Sequence, residues 1–567
     1  MSENPLMKFM INLFAPVQVK KPLMVPTLPT ECMYQIFQNL VDQGEALHPF
    51  LLINRYWCRN VIPFLWARPF DNLTPENMYK IVLVYLSSLN DAEKADLRDL
   101  LIKNSYDTEF ISELLQQKTP LFNYPMMLQE FSIVKLEMTV QSWIYRCAME
   151  FGCQINQMDE QLNFMTSILC KLFLRNSVNM RCFRVDKIPC HDDIPELFPL
   201  LDITPTPGFI GLSNISKLEI DYSQQSMLKN TINLMKTIPK LCRRIQILNV
   251  KLPMFESNPD VVEAIVSIIT SQNKLKEFSL EGVENENDSQ VIIHALQSQV
   301  RSLTSVEIDR VNITTLSLYA LAKCTNLENL KISNCRKLTV QDMTNTVTTT
   351  PSTIDELWNI IKFDNLKKLH LTNLQRNPII YSLIIQAAGK SSLRELTMDI
   401  ITQDTINSMM ENCPNITHLT LVDYYPSLHD HLLSSLFQTL QNVTHLTIQT
   451  PSKSLPILAS ESTIISGKSL PSSLTYLRLQ CGFKLDGLLS DCKAKLKVLI
   501  VDVVKTLYMD MKVITSFIKG QAGSSVKYLG VGIGGEARWN GKVVKELEEL
   551  KENFGVCVIP WYEFEKW

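Results

Sequence analysis

The feature that most restricts how this chain can fold is a short apolar step that returns at intervals of 22 to 39 residues over more than 300 residues. Each copy holds one apolar residue, a second three positions on, and a third two positions after that. The clear copies begin with Ile215/Leu218/Ile220, Ile245/Leu248/Val250, Leu275/Phe278/Leu280, Leu303/Val306/Ile308, Leu327/Leu330/Ile332 and Leu366/Leu369/Leu371. They continue with Leu393/Leu396/Met398, Ile416/Leu419/Leu421, Val443/Leu446/Ile448, Leu474/Leu477/Leu479, Leu496/Leu499/Val501 and Val526/Leu529/Val531. Weaker copies precede them at Leu128/Phe131/Ile133 and Met180/Phe183/Val185. A regularity sustained this long means a repeated unit, and it replaces the several independent domains that 567 residues would otherwise suggest.

The last two apolar residues of each copy fall on one face of a short strand, and the residues beside them point the other way. Between copies lie stretches with helical spacing, at 261–270, 291–297, 405–410 and 431–440. One strand and one helix cannot bury their apolar faces alone, so neighbours must stack into a parallel solenoid, strands on the concave face and helices on the convex face. The runs Leu327-x-x-Leu330-x-Ile332-x-x-Cys335-x-x-Leu338-Thr339 and Asn412-Cys413-Pro414-Asn415-Ile416-x-x-Leu419 resemble the cysteine-containing leucine-rich repeat. That resemblance implies an α/β solenoid over residues 121–567, degenerate at its start and carrying a Thr-rich insertion near 340–362. It also gives a structural reason for the sequons at Asn415 and Asn442, which occupy equivalent places in two copies.

The stretch 28–70 is of another kind. Leu28-Pro29 breaks any preceding helix, Thr30 is placed to cap the next, and Met33, Ile36, Phe37 and Leu40 recur at helical steps. After Gly44, the apolar residues Phe50, Ile53, Trp57 and Val61 repeat at three- and four-residue steps, and Pro63 is expected to stop the run. Leu28-Pro29-x-Glu31, Ile36-Phe37-x-x-Leu40, Leu51-Leu52-Ile53-Asn54-Arg55-x-Trp57-Cys58 and Val61-x-Pro63-x-Leu65-Trp66 together resemble an F-box, most closely that of the large fungal F-box family. The resemblance implies three helices that dock a Skp-type adaptor and, through it, a cullin. Adaptor contacts are then expected from Leu28, Pro29, Ile36, Phe37, Leu40, Ile53, Trp57, Leu65 and Trp66, with the two tryptophans equally able to be internal core.

The remaining organisation follows from local signals. Residues 1–26 read as a flexible leader, 27–70 as the F-box-like module, and 71–120 as a helical neck. The neck opens on Thr74-Pro75-Glu76, a cap followed by proline at the first helical position. No run of 18 apolar residues occurs and no Lys/Arg block, so neither membrane nor nucleic acid is an expected partner. The 14 cysteines contain no Cys-x-x-Cys pair, which suits a reduced, cytoplasmic or nuclear protein.

Three motifs invite chemistry. Gly530-Val531-Gly532-Ile533-Gly534-Gly535 matches a dinucleotide fingerprint, but as the end of a repeat strand it is explained by a tight turn. Cys190-His191-Asp192-Asp193 and His429-Asp430-His431 lack a second ligand pair at zinc spacing. No nucleophile elbow is present. The expectation is therefore a non-enzyme without cofactor or metal.

Function then falls to the outward strand positions. From the copy at Leu218 to that at Val306 they include the acids Glu219, Asp221, Glu277, Glu281, Glu307 and Asp309 against Lys217 and Lys251. Later copies contribute His370, His418, His445, Tyr476, Arg478 and Tyr528, giving a surface that runs from acidic to aromatic and basic. With the two resemblances, these residues imply the substrate-receptor subunit of a Skp–cullin–F-box ubiquitin ligase, its solenoid holding a protein target. The rival readings are a repeat scaffold with no ligase connection, and a nucleotide-dependent enzyme using the stretch 530–535.

Overall fold

A computed structural model describes residues 28–71, 73–104, 106–116, 120–151, 158–186, 210–222, 229–253, 258–336, 338, 358–374, 377–388, 392–422, 430–449, 467–480, 485–503, 507–520, 525–533 and 541–559. The chain forms two compact units, Met1–Pro69 and Phe70–Trp567. The leader, the Cys190 motif, His429 with the side chains of Asp430 and His431, Gly534, Gly535 and most of the Thr-rich insertion lie outside the described residues.

The described part of the first unit consists of α1 (Thr30–Asp42), a 3-10 turn (His48–Leu52) and α2 (Arg55–Leu65). Pro29, not Thr30, is the N-cap of α1, and no side chain caps it. Asn54 caps α2 by accepting from the Trp57 amide at 2.9 Å. Pro63 does not stop that helix but sits inside its last turn. Only two helical residues follow it, so the missing N–H costs one bond near an end that frays in any case. Met33, Phe37, Leu47 and Val61 form the core, with Leu40, Phe50, Trp57, Phe64 and Leu65 packed on it. Phe37 is its centre: the rings of Phe50, Trp57 and Phe64 each lie 5.7 Å from it.

The second unit opens with α3 (Pro75–Leu86), α4 (Asp91–Lys103) and α5 (Thr108–Leu115). Thr74 caps α3, and Asn90 and Glu93 form a reciprocal capping box on α4. These helices pack into the unit rather than standing apart: buried Tyr85 meets the ring of Phe173 at 4.7 Å, and Glu93 pairs with Arg175 at 2.8 Å. Phe70, read in sequence as the end of the first module, packs here against Tyr85 and Phe173.

Fifteen strands then form one sheet in chain order, every neighbouring pair parallel. They are β1 (Glu130–Ser132), β2 (Cys182–Asp186), β3 (Lys217–Asp221), β4 (Ile247–Lys251), β5 (Glu277–Glu281), β6 (Ser305–Asp309), β7 (Asn329–Ser333) and β8 (Lys368–Thr372). There follow β9 (Glu395–Met398), β10 (His418–Leu421), β11 (His445–Gln449), β12 (Tyr476–Gln480), β13 (Val498–Val503), β14 (Tyr528–Ile533) and β15 (Cys557–Ile559). The register aligns the middle residue of each sequence copy with that of the next, as in Leu218↔Leu248, Leu330↔Leu369 and Leu446↔Leu477. These residues and their partners two positions on are buried, while from β3 to β12 the positions between them are half-buried on the other face. An α/β repeat solenoid is therefore the architecture of this unit.

Two local devices hold successive turns in step. Gly282, Arg310, Asn334 and Asn373 each follow a strand and adopt positive φ, between 53° and 88°, which turns the chain sharply off the sheet. At the opposite edge, buried Gln272 accepts the Ile245 amide at 3.0 Å and donates to the carbonyls of Cys242 and Ile268 at 3.0 and 2.9 Å. Gln299 repeats the arrangement one turn on, accepting from Leu275 and donating to the carbonyls of Ile269 and Gln272. Each glutamine thus fills backbone groups that a helix C-terminus and the following bend leave open.

Candidate functional site

Two surfaces carry the residues singled out above, and each is described within its own unit. On the first unit, the nine expected adaptor contacts divide by burial. Phe37 is fully buried and is a core residue, not a contact. Trp57 stacks on Phe50 at 5.7 Å, and Leu40 and Leu65 pack on the same core; Trp66 is half-buried at the end of α2. Leu28, Pro29, Ile36 and Ile53 are exposed, Leu28 at 46% and Ile53 at 52%. Three apolar side chains not named among the expected contacts join them: Tyr34, Val41 and Leu52, the last 64% exposed. So small a unit shows more apolar surface than its own core requires.

The outward face of the sheet is not the acidic field its sequence suggests. Glu219 is paired by Arg184 and by Lys217 at 2.6 Å, and Lys251 lies 3.9 Å from Asp221 and 3.5 Å from Glu281. Arg310, turned back by its positive φ, pairs with Glu281 and lies 3.4 Å from Asp309; Lys331 pairs with Glu307. Of the six acids, Glu277 alone has no ion pair among the described residues. Burial works to raise the Glu219 carboxyl, but hydrogen bonds from Lys217 and Arg184 outweigh it and hold it below the usual range. Asp309 is further tied by Asn334 at 2.7 Å, which accepts from Asn373 at 2.9 Å; the Asn373 amide donates to Asp399 at 2.6 Å. This half of the face is a cross-linked polar lattice whose charges answer one another.

The later strands differ. His418, His445 and Tyr476 occupy one register row of β10, β11 and β12, and their rings stack, 4.0 Å between the imidazoles and 5.3 Å from His445 to Tyr476. Thr417 and Thr444 hold the imidazoles: each hydroxyl donates to a carbonyl of the preceding turn at 3.2 Å and lies 2.9 Å from the Nδ1 of its own neighbouring histidine. A hydroxyl has one proton, so with that proton on the carbonyl the Nδ1–H is the donor in each pair. These are the threonines of the two Asn-x-Thr sequences, whose periodic place is thereby explained. Burial first, then the neighbouring His418, lowers the His445 pKa, against Glu395, which raises it. His370 is lowered by burial and by Lys331.

Beyond the stack, the outward face turns apolar. Tyr476, Ile500 and Ile559 form a buried cluster with Val498 and Tyr528 beside it. Tyr476, expected as an open contact, is only 8% exposed. Arg478 hydrogen-bonds the Tyr476 hydroxyl. Gly530 and Gly532 lie within β14 rather than in a turn after it, and Gly530 sits between Ile500 and Ile559 in register. A phosphate-binding bend needs its first glycine beyond the strand end. Among the described residues, no three His, Cys, Asp or Glu side chains come together as metal ligands, and no helix is long and apolar enough to cross a membrane.

Known proteins add little. No family pattern matches the chain, and no curated protein matches it. Among solved structures it is similar to an internalin from Listeria monocytogenes, at 15% identity and a TM-score of 0.32, over 62% of this chain and 82% of that one. It is also similar to TLR13 in the TLR13–ssRNA13 complex, again at 15% identity and 0.32, over 64% of this chain and 44% of that one.

Proposed function

We propose that this protein is the substrate-receptor subunit of a Skp–cullin–F-box ubiquitin ligase, with the first unit docking the adaptor and a leucine-rich-repeat solenoid holding the target. The observation that carries the reading is the apolar surface of Leu28, Ile36, Leu52 and Ile53, exposed on a helical unit whose F-box-like sequence already fills its own core. The chain itself catalyses nothing in this scheme. The partner of the solenoid is a protein, met by the row from His418 to Tyr528 rather than by the ion-paired acids, because paired charges have little left to offer.

The test is co-expression of the full chain with a Skp-type adaptor and recovery of the complex. Leu28 and Ile53 are each about half exposed, so burying the rest of either side chain contributes roughly 1 kcal/mol, and a buried aspartate there costs more. Leu28→Asp and Ile53→Asp should each lower recovery about tenfold or more while leaving thermal stability unchanged. Failure to recover the adaptor, or equal recovery with both variants, would leave the scaffold reading in its place.

A further inference from the structure

A cavity of about 620 Å³ opens at the edge of the solenoid where strands β5 and β6 begin, lined by Asn273, Lys274, Lys276, Ser298, Arg301 and Ser302, among others. Its two walls are the connections 272–276 and 300–304, joined where the Thr304 and Ser305 amides donate to the Lys276 carbonyl. The preceding connection adds Arg243 and Arg244, linked through the Asn273 amide to the Arg243 carbonyl at 3.2 Å. All five cations are exposed, and none makes an ion pair among the described residues; even Glu277, next to Lys276, makes none with it.

Cations at helix C-termini commonly serve the helix itself. Here that role is filled, because Gln272 and Gln299 already satisfy the carbonyls at this edge. The hydroxyls of Ser298 and Ser302 are also engaged, donating to the Ala295 carbonyl and to Gln299. What remains in the cavity is the set of donors that carry charge: Lys274, Lys276 and Arg301. Some cations elsewhere on the unit are occupied: Lys323 lies over the Tyr319 ring at 4.5 Å and Lys367 pairs with Glu328 at 2.7 Å.

We propose that this cavity is an oxyanion site that takes a phosphate monoester, a dianion with three acceptor oxygens set against three cationic donors. Further along this edge Lys367, Arg394 and Lys495 stand on other connections, but 413–417 and 440–444 carry no Lys or Arg, so a nucleic-acid strand would find the track of charge interrupted. The site is separate from adaptor docking and from the His418 row, and its test does not depend on either.

The full chain is titrated with inorganic phosphate and with O-phospho-L-serine, followed by 31P line broadening and calorimetry. Saturable binding is expected, weakened about tenfold or more in Lys274→Glu and Arg301→Glu, and unchanged in Lys495→Glu, an equal charge change on another turn. The neutral pair Lys274→Gln and Arg301→Gln checks that loss does not come from introduced repulsion, with circular dichroism confirming the fold. A phosphoserine peptide binding more tightly than free phosphoserine assigns the ester to a protein side chain, and equal binding assigns it to a small molecule. Absence of saturable binding, equal binding by all variants, or tighter binding of a single-stranded RNA oligomer than of either ester would overturn the proposal.

Discussion

Replacing Gln272 with Leu should loosen one turn of the solenoid by an amount that can be worked out bond by bond. Gln272 is 5% exposed, and its amide accepts from the Ile245 N–H and donates to the Cys242 and Ile268 carbonyls. Leucine fills nearly the same space and removes every one of these partners. The Ile245 amide is then stranded in a buried bend, and the Cys242 carbonyl loses its donor; each orphaned group costs about 1–3 kcal/mol. A loss of about 2–6 kcal/mol in local stability corresponds to a fall of at least roughly 30-fold in amide protection. Hydrogen exchange read by mass spectrometry over peptides spanning 242–276 in the full chain measures this directly. Turns around β10 to β12 should be unaffected, since each turn of a solenoid contacts only its neighbours. A change below about threefold over 242–276 would refute the reasoning, because the buried amide would then have another partner.

The fold was legible in the sequence because the strand signal had no competitor. An apolar pair two residues apart, returned in step a dozen times, can be buried only on one face of one sheet, and all of those copies became strands in register. The site was less legible, for identifiable reasons. Ile36 and Phe37 are adjacent apolar residues of one helix, separated by about 100° of rotation, and sequence alone does not say which points inward. The acids of β3 to β6 looked to outnumber their bases because Arg184 lies one strand earlier and Arg310 lies just beyond a strand, turned back by a backbone conformation that no residue pattern announced. The strand pattern says nothing of the glutamines, although Ser271-Gln272 and Ser298-Gln299 stand in equivalent places 27 residues apart and can be found by aligning the connections as well as the strands.

Phe37→Ala should destabilise the first unit by about 3–5 kcal/mol, since it empties the centre of its core, whereas Ile53→Asp should leave the melting of that unit unchanged; denaturation of both variants separates core from surface. Gly282→Ala should cost well over 1 kcal/mol, because φ is +88° and the added Cβ would stand 2.1 Å from the Leu252 carbonyl oxygen; a melting curve at wild-type temperature would contradict this. The lowered pKa of His445 in the folded state means that the unfolded chain binds protons more readily, so its contribution is present above pH about 6.5 and lost as pH falls below it. His445→Gln should flatten the melting temperature between pH 7 and 5 relative to wild type, with His418, Glu395 and Tyr476 unchanged around it. Exposed Cys32 and Cys557 should alkylate with iodoacetamide well before Cys242 and Cys413, whose thiols burial pushes up to about 12.

The pairing of β7 with β8 carries a lesson about growth. Leu330 and Leu369 are 39 residues apart, the longest interval among the twelve clear copies, yet they align as neatly as pairs separated by 23. The sheet keeps count of strands, not of residues. Lengthening the stretch that joins two strands is therefore cheap, about 0.6 kcal/mol for each doubling of a flexible connection. One residue inserted between Leu330 and Ile332 would be ruinous by comparison, since it would exchange the buried and open faces for the rest of that strand. Evolution, or a protein engineer placing a reporter domain, has wide freedom in the first kind of change and almost none in the second.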